Sequence, residues 1–453
     1  MISNCNFRNL ISKSKRNGFI IVIFLLILAS RLVNLGADPP VNLSPSGGLF
    51  GDESALAHNA RNKILFGQWM SDDWNPIVYN PILNILEYLS FSLLGVGLRQ
   101  LRLVNVVSIA ISFLLFWTVL KRNSGRRVAV MSVLLLGFNY VFAMYNRLGL
   151  NDTFLVLPMA LTLFFWQEGL VKPRLLFLAG ISSFACYITK ASALYFVLAA
   201  LAALIFALGQ KYATEKNMKR ILSSLGFYLG GLVISYLVWF LFFYSPYKTE
   251  FARASRSWFG LAMPSNIGKF WLNLTSFTFP GYLVNAPVEL IIAWCYIPLV
   301  VYGLVKWRNK LKPLEVFVFL WLSGGYVALN GLSYRPPRYF VPIIPALCFL
   351  SAFALDRIWN VTGQKKIRIN RATLFMGLVF GLFYAAWVMI LFRRCISLPR
   401  VLKIVLPVMG LAVLLALLSM IVRRIQKKAL IGGRRDALKI FLRAAVVSLV
   451  AFS

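Results

Sequence analysis

The chain has 453 residues but only 14 acidic ones, and their placement is uneven. Asp38, Asp52, Glu53, Asp72 and Asp73 all fall between the first apolar run and residue 75, and a sixth, Asp152, follows Tyr-Asn-Arg-Leu-Gly-Leu-Asn at the head of another apolar run. Two separated carboxylate sites suit a transfer to a hydroxyl or amine acceptor, in which one carboxylate removes the acceptor proton and another orients it or helps hold a divalent cation. Lys190, in Tyr187-Ile-Thr-Lys-Ala, breaks an apolar stretch, and Arg335 and Arg338 lie in Ser-Tyr-Arg-Pro-Pro-Arg-Tyr, where prolines stiffen the turn. Guanidinium groups match phosphate oxygens through paired hydrogen bonds, and cations beside a departing phosphate stabilise its growing charge.

Each of these residues also has a plain structural role open to it. Asp52 with Glu53, and Asp152, are placed to favour a helix amino end; Lys190 suits snorkelling to an interface, and the arginines suit interfacial anchoring. His58, the single histidine, stands about one turn after Glu53. Without a second histidine it makes a poor metal ligand set, and the wet face of a surface helix accounts for it. The carboxylates admit a divalent cation at Asp52 and Asp152 without requiring one, so no cofactor is fixed.

These groups are positioned by membrane helices. Hydrophobic residues make up 59% of the chain and charged ones 14%, against about 25% charged in soluble domains. Apolar stretches near the ~20 residues that cross a bilayer recur from residue 18 to residue 422. The net charge of +34 sits in short clusters between those stretches, which is how topology is specified, and this argues against nucleic-acid binding. Cys186, Cys295 and Cys348 lie within apolar runs at no metal spacing and read as small buried hydrophobes. The first run, Gly18 to Leu35, follows Arg8, Lys13, Lys15 and Arg16 and reads as an uncleaved helix with a cytoplasmic amino end.

Counting residues 79–98 as a crossing would put the cluster Lys121, Arg122, Arg126 and Arg127 outside and Asp152 inside, against the positive-inside bias. That run also carries Asn80, Asn84 and Glu87, whose burial in lipid is costly. It is therefore read as lying along the surface or re-entering. The spans become 18–36, 102–120, 128–145, 153–170, 175–190, 191–209, 223–244, 286–305, 313–332, 339–355, 372–392 and 401–422. Inner loops at 121–127, 171–174, 210–222, 306–312, 356–371 and 423–436 are mostly basic, while Arg335 with Arg338, and Arg393, Arg394 and Arg400, fall on the outer side. The expected fold is an all-α polytopic membrane protein of about 12 (11–13) transmembrane helices, forming one domain over 1–436. The outer loop 37–101 carries juxtamembrane helices, and 437–453 is a basic, apolar tail or partial span. Asp52, Glu53, Asp152, Lys190, Arg335 and Arg338 then all face the non-cytoplasmic side.

Several motifs resemble those of the GT-C glycosyltransferases, in the branch of protein O-mannosyltransferases and the lipid A aminoarabinose transferase. They are Gly51-Asp52-Glu53, Ala57 to Lys63, Gly67-Gln68-Trp69 and Asn-Pro-Ile-Val-Tyr-Asn-Pro-Ile-Leu. Leu101-Arg102-Leu103, Arg147-Leu-Gly-Leu-Asn-Asp152, Ile188-Thr189-Lys190 and Arg338-Tyr339-Phe-Val-Pro342-Ile-Ile-Pro345 extend the likeness in order over residues 50–350. Where the family has adjacent prolines, this chain has Pro76 and Pro81. The resemblance implies a GT-C bundle and transfer from a polyprenyl-phosphate-linked sugar donor to a lipid, glycan or protein acceptor. Asp52 would be the base, Glu53 its support, Asp152 the acceptor or cation residue, and Lys190 with Arg338 the donor-phosphate residues. Arg147 and Tyr339 lie within the matched motifs as further candidates.

A transporter or flippase of lipid-linked or anionic substrates is the main rival, but it would place its charges near mid-membrane in discontinuous helices. A scaffold subunit retaining the fold without activity is a second rival. Asn151-Asp152-Thr153 is a glycosylation sequon beside the candidate site; a glycan there would block it, which favours a bacterial inner (plasma) membrane and a cell-envelope role over a eukaryotic secretory membrane.

Overall fold

The computed structural model describes residues 18, 20–37, 51–69, 80–275, 300, 311–334 and 336–362. The expected spans 372–392 and 401–422, nearly all of 286–305 and the 437–453 tail lie outside these, as do Asp38, Asp72, Asp73, Cys295, Arg335, Arg393, Arg394 and Arg400. Among the described residues the architecture is all-helical, and the chain is an integral membrane protein. Five helical stretches are long and apolar enough to cross a bilayer: Leu98–Ser124, Ala191–Ala213, Met218–Tyr244, Pro313–Gly331 and Arg338–Arg357.

The helices are α1 (Ile20–Leu32), α2 (Gly51–Phe66), α3 (Pro81–Leu94), α4 (Leu98–Ser124), α5 (Arg126–Gly137), α6 (Tyr140–Tyr145), α7 (Asn151–Phe154) and α8 (Val156–Gly169). They continue as α9 (Leu175–Thr189), α10 (Leu194–Glu215), α11 (Met218–Trp239), α12 (Lys248–Ala262), α13 (Ile267–Thr275), α14 (Pro313–Gly331) and α15 (Ile344–Thr362). Where one span was expected over 128–145, the chain stops at Gly137 and restarts as α6, because the Asn139 side chain accepts the Phe142 N–H at 3.0 Å and caps a new helix. α12 and α13 fill part of the stretch after 244 that the sequence reading left unassigned.

The core lies where α4, α8, α10, α14 and α15 meet. Trp166, Phe196, Phe317, Trp321, Phe116 and Phe349 interlock there, with neighbouring ring centroids 5.0 to 6.4 Å apart. Edge-on rings, which four of these six pairs form, contribute about 0.5–1.5 kcal/mol per pair beyond their buried area. The polar edge of Trp166 is satisfied by the Ala200 carbonyl at 3.2 Å. α9 and α11 approach backbone to backbone. A Cβ added at Gly180 would stand 2.1 Å from the Tyr228 carbonyl oxygen, and one at Gly231 2.1 Å from that of Phe177, so neither position has room for a side chain.

Ion pairs divide the bundle into two ends. At one end Arg122 pairs with Glu168, Arg357 with Glu315, Arg127 with Asp356 at 3.3 Å, and Lys312 reaches the Asn123 carbonyl at 3.3 Å. Residues assigned to the basic inner loops therefore do meet. At the other end gather residues 52–53, 102, 147–152, 190 and 338. α3 stays at this second end throughout: Asn80, before its first residue, bonds Asn151 at 2.7 Å, and Ser90, in its last turns, bonds the Gln100 carbonyl at the start of α4 at 2.8 Å. It thus lies across the end of the bundle, and at ~1.5 Å per residue its 14 residues are too short to span. Asn80, Asn84 and Glu87, which weigh against lipid burial, are buried against protein.

Candidate active site

α2 brings Asp52 and Glu53 in its first turn, α4 brings Arg102, and the turn before α7 brings Gly149 and Asp152. The α9 terminus contributes Lys190, and the short 3-10 helical segment Pro337–Ile343 contributes Arg338 and Tyr339. Residues from five distant stretches of sequence thereby converge at one end of the bundle.

The two acids of the adjacent pair face different partners. Asp52, with a half-exposed side chain, pairs through Oδ2 with Arg338 Nη1 at 2.8 Å. Glu53 is buried: Arg102 donates to Oε1 through Nε at 2.9 Å and to Oε2 through Nη2 at 2.6 Å, and the Gly149 N–H donates to Oε1 at 2.5 Å. Arg102, fully buried, also donates Nη1 to the Leu35 carbonyl at 3.0 Å and the Ala37 carbonyl at 2.7 Å. This clasp joins the end of α1, α2, α4 and the turn before Asp152. Gly149 is required for it, since a Cβ there would meet Leu101 Cγ at 2.6 Å. Glu53 therefore holds the frame and leaves Asp52 as the member of the pair open to solvent.

Asp152 is buried beside two cations: its Oδ1 accepts from Lys190 Nζ, and its Oδ2 lies 3.7 Å from Arg338 Nε. Arg338 thus bridges Asp52 and Asp152. Lys190 Nζ stands 3.4 Å from the Tyr339 ring centroid, and the Arg338 guanidinium carbon 5.6 Å from it, so the phenol ring forms a floor beneath both cations. The four charged side chains Asp52, Asp152, Lys190 and Arg338 balance, and an arriving phosphate has two cations within reach once the carboxylates yield. Among the described residues no three His, Cys, Asp or Glu gather to hold a metal. A guanidinium already sits between Asp52 and Asp152, where a cation shared by them would have to enter.

Of the further candidates, His58 and Arg147 contact backbone carbonyls. His58 Nδ1 contacts the Ala55 carbonyl of its own helix at 2.7 Å. Arg147 donates Nη2 to the Val33 carbonyl at 2.8 Å and to that of Asn34, bracing the turn after α1. Arg335 lies outside the described residues. Sequence reasoning singled out Arg102 only through the resemblance and gave it no role. The available signal is an arginine bordering a long apolar run, where a buried charge calls for a partner. Cys186 and Cys348 are buried, as their apolar settings suggest.

Comparison with known proteins follows the same lines. Residues 78–241 match the family model described as dolichyl-phosphate-mannose-protein mannosyltransferase. No curated protein sequence matches the chain. The crystal structure of ArnT from Cupriavidus metallidurans in the apo state superposes with a TM-score of 0.51 at 17% identity, over 87% of this chain and 74% of that one. The same protein bound to undecaprenyl phosphate gives 0.49 at 15%, over 96% and 76%. The archaeal oligosaccharyltransferase AglB from Archaeoglobus fulgidus gives 0.48 at 14%, over 82% and 55%. The chain thus has the ArnT-like GT-C fold, and over residues 78–241 it is similar to the dolichyl-phosphate-mannose-protein mannosyltransferases.

Proposed function

We propose that the protein transfers a sugar from a polyprenyl-phosphate donor to a hydroxyl- or amine-bearing acceptor, lipid, glycan or protein, on the non-cytoplasmic face of its membrane. The observation that carries this reading is the bridge Asp52–Arg338–Asp152–Lys190: a half-exposed carboxylate beside two cations, at the end of a membrane bundle. The family matched over residues 78–241 is named for a lipid-phosphate sugar, which supports such a donor here. The donor lipid enters from the bilayer and its phosphate replaces carboxylate oxygens at Lys190 and Arg338, which frees Asp52. The acceptor O–H or N–H proton passes to Asp52 while the acceptor atom bonds the anomeric carbon. The bond from that carbon to the phosphate oxygen breaks on the opposite side, inverting the centre. The departing lipid phosphate keeps the electron pair, and Lys190 and Arg338 hold the added charge, an arrangement that stabilises the transition state more than the ground state. The cationic pair supplies this neutralisation without a divalent cation. Charges at the end of the bundle, in place of mid-membrane charges, favour this reading over transport.

Binding of radiolabelled undecaprenyl phosphate to purified protein in nanodiscs tests the donor site. Lys190→Gln is expected to weaken binding about tenfold, since a charged hydrogen bond contributes about 1.5–3 kcal/mol. Equal binding by wild type and variant, both folded, overturns the placement of the phosphate.

A further inference from the structure

Residues 128–145 have the hydropathy of one span, yet α5 stops at Gly137 and the chain restarts as α6 at Tyr140. In an unbroken helix the Gly137 carbonyl would accept the Val141 N–H; the break leaves it among the last carbonyls of α5, which lack helical partners. Arg31, near the end of α1, supplies a donor. Its Nη2 donates to the Gly137 carbonyl, and its Nη1 donates to the Ser30 hydroxyl at 2.6 Å and to the Ile27 carbonyl at 3.3 Å. Arg31 is only 2% exposed, and these three acceptors are all neutral groups. The helix dipole favours a cation on the last carbonyl of α5, so Arg31 acts as its stop. α1 and α5 are close enough for this contact: a Cβ on Gly137 would meet Cδ1 of Ile27, one turn before Arg31, at 2.3 Å.

The six residues of α6 are too few to hold a position by themselves, and both ends are tied to α1. Arg31 holds the entry at Gly137. Arg147, just past the exit, donates back to the Val33 carbonyl at 2.8 Å and to the Asn34 carbonyl. What α6 delivers is the turn that bears Asp152. The carbonyl of Tyr145, its last residue, accepts the hydroxyl of Thr153, the neighbour of Asp152, at 2.9 Å. Asn105 Nδ2 donates to the Leu148 carbonyl at 2.6 Å and to the Leu150 carbonyl at 3.2 Å, so the turn fits α4 in one register only. A displacement of α6 is therefore passed on to Asp152.

We propose that Arg31 is a positioning residue: by stopping α5 at Gly137 it sets α6, and through α6 it holds Asp152 against Lys190. Without its donor the Gly137 carbonyl takes the Val141 N–H, and α5 and α6 merge into the single span that their hydropathy favours. The turn over residues 146–152 then leaves its seat on Asn105. The effect on turnover rests on the sugar-transfer reading; the effect on the turn does not.

Amide hydrogen exchange of the purified full-length protein in nanodiscs reads the turn without reference to the reaction. In Arg31→Met the amides of residues 146–152 are expected to exchange about tenfold faster or more, the factor that one lost hydrogen bond to a charged group carries. Those of α9 and α11 stay as in wild type, and Arg31→Lys, which keeps a charged donor, stays near wild type throughout. Gly231→Ala, destabilising between α9 and α11, gives the opposite pattern. Transfer of radiolabelled sugar from polyprenyl-phosphate sugars then separates positioning from support of the fold. Arg31→Met lowers kcat about tenfold while undecaprenyl phosphate binding is retained, and it adds nothing to the loss in Asp152→Asn, because both act through one carboxylate. If Arg31→Met does not fold, Arg31→Gln, a shorter neutral donor, shows the same pattern at smaller size. Unchanged exchange over 146–152 in a folded variant, or turnover losses that multiply with those of Asp152→Asn, overturn the proposal. Absence of transfer by wild type would remove the sugar-transfer reading, and the exchange result alone would then decide whether Arg31 sets the turn.

Discussion

Replacing Arg102 by methionine keeps much of its volume and removes the hydrogen bonds that its guanidinium donates within the clasp. Glu53, buried, keeps one donor, the Gly149 N–H, and the Leu35 and Ala37 carbonyls lose theirs. Breaking a buried ion pair by deleting one partner costs about 3–5 kcal/mol, because the remaining charge stays out of water. Glu53→Leu alone leaves the Arg102 charge buried and is expected to cost a similar amount. The double variant, with no stranded charge, should recover about 2–3 kcal/mol relative to the sum of the single changes. Unfolding of purified protein by a denaturing detergent in mixed micelles, run as a double-mutant cycle, measures both quantities. Arg102→Lys should rescue little, since an ammonium cannot present the planar fork that meets both carboxylate oxygens and two carbonyls. The single variants should also lose transfer activity while folded, because Asp52 adjoins Glu53 and Asp152 follows Gly149 by three residues. Costs that simply add, or single costs below about 1 kcal/mol, would refute the clasp as the element that positions the two aspartates.

Three further outcomes follow from the same structure. Glu87, in the juxtamembrane helix α3, is fully buried with neither carboxylate oxygen hydrogen-bonded, and burial raises its pKa well above the ordinary carboxylate range. With the folded pKa raised, its contribution is fully present below the unfolded value of about 4.3 and is lost as pH climbs towards the folded pKa. Glu87→Gln should therefore match wild type in acid, exceed it in stability at neutral pH and flatten the stability profile over that window, as read by thermal unfolding at several pH values. Gly231→Ala forces a methyl against the Phe177 carbonyl and should cost about 1–3 kcal/mol in the same assay, with α9 and α11 driven apart. Asp152→Asn leaves Lys190 without its carboxylate; donor-phosphate binding should persist or tighten while turnover falls, a split visible by comparing undecaprenyl phosphate binding with kcat.

Much of this arrangement is legible in the sequence because membrane burial makes charges informative. Lys121 to Arg127 and Asp152 cannot both obey the positive-inside bias unless 79–98 stays on one side, and the contacts of Asn80 and Ser90 place α3 there. Lys190 and Arg338 were visible as cations interrupting apolar or proline-stiffened stretches, and they meet Asp152. The division of labour within Asp52-Glu53 was not legible. Adjacent helical residues point about 100° apart, and which one meets Arg102 depends on packing between α2 and α4. The break at Asn139 was missed because a capping asparagine inside an apolar run leaves hydropathy almost unchanged, although its side-chain acceptor was a usable signal. Arg147 was a further candidate through its matched motif, and the contacts of its guanidinium with two backbone carbonyls just past α1 are ones that only the tertiary fold reveals.

The central claim is that Asp52 is the base of a lipid-linked sugar transfer. Its most direct test is transfer of radiolabelled sugar from polyprenyl-phosphate sugars by purified protein, with membrane extracts supplying acceptors, comparing wild type with Asp52→Asn. The account predicts transfer by wild type and loss of about 10²-fold or more in the variant, the scale of a general base, with donor-phosphate binding retained. Undiminished transfer by a folded Asp52→Asn protein, or no transfer from any donor by wild type, would contradict it.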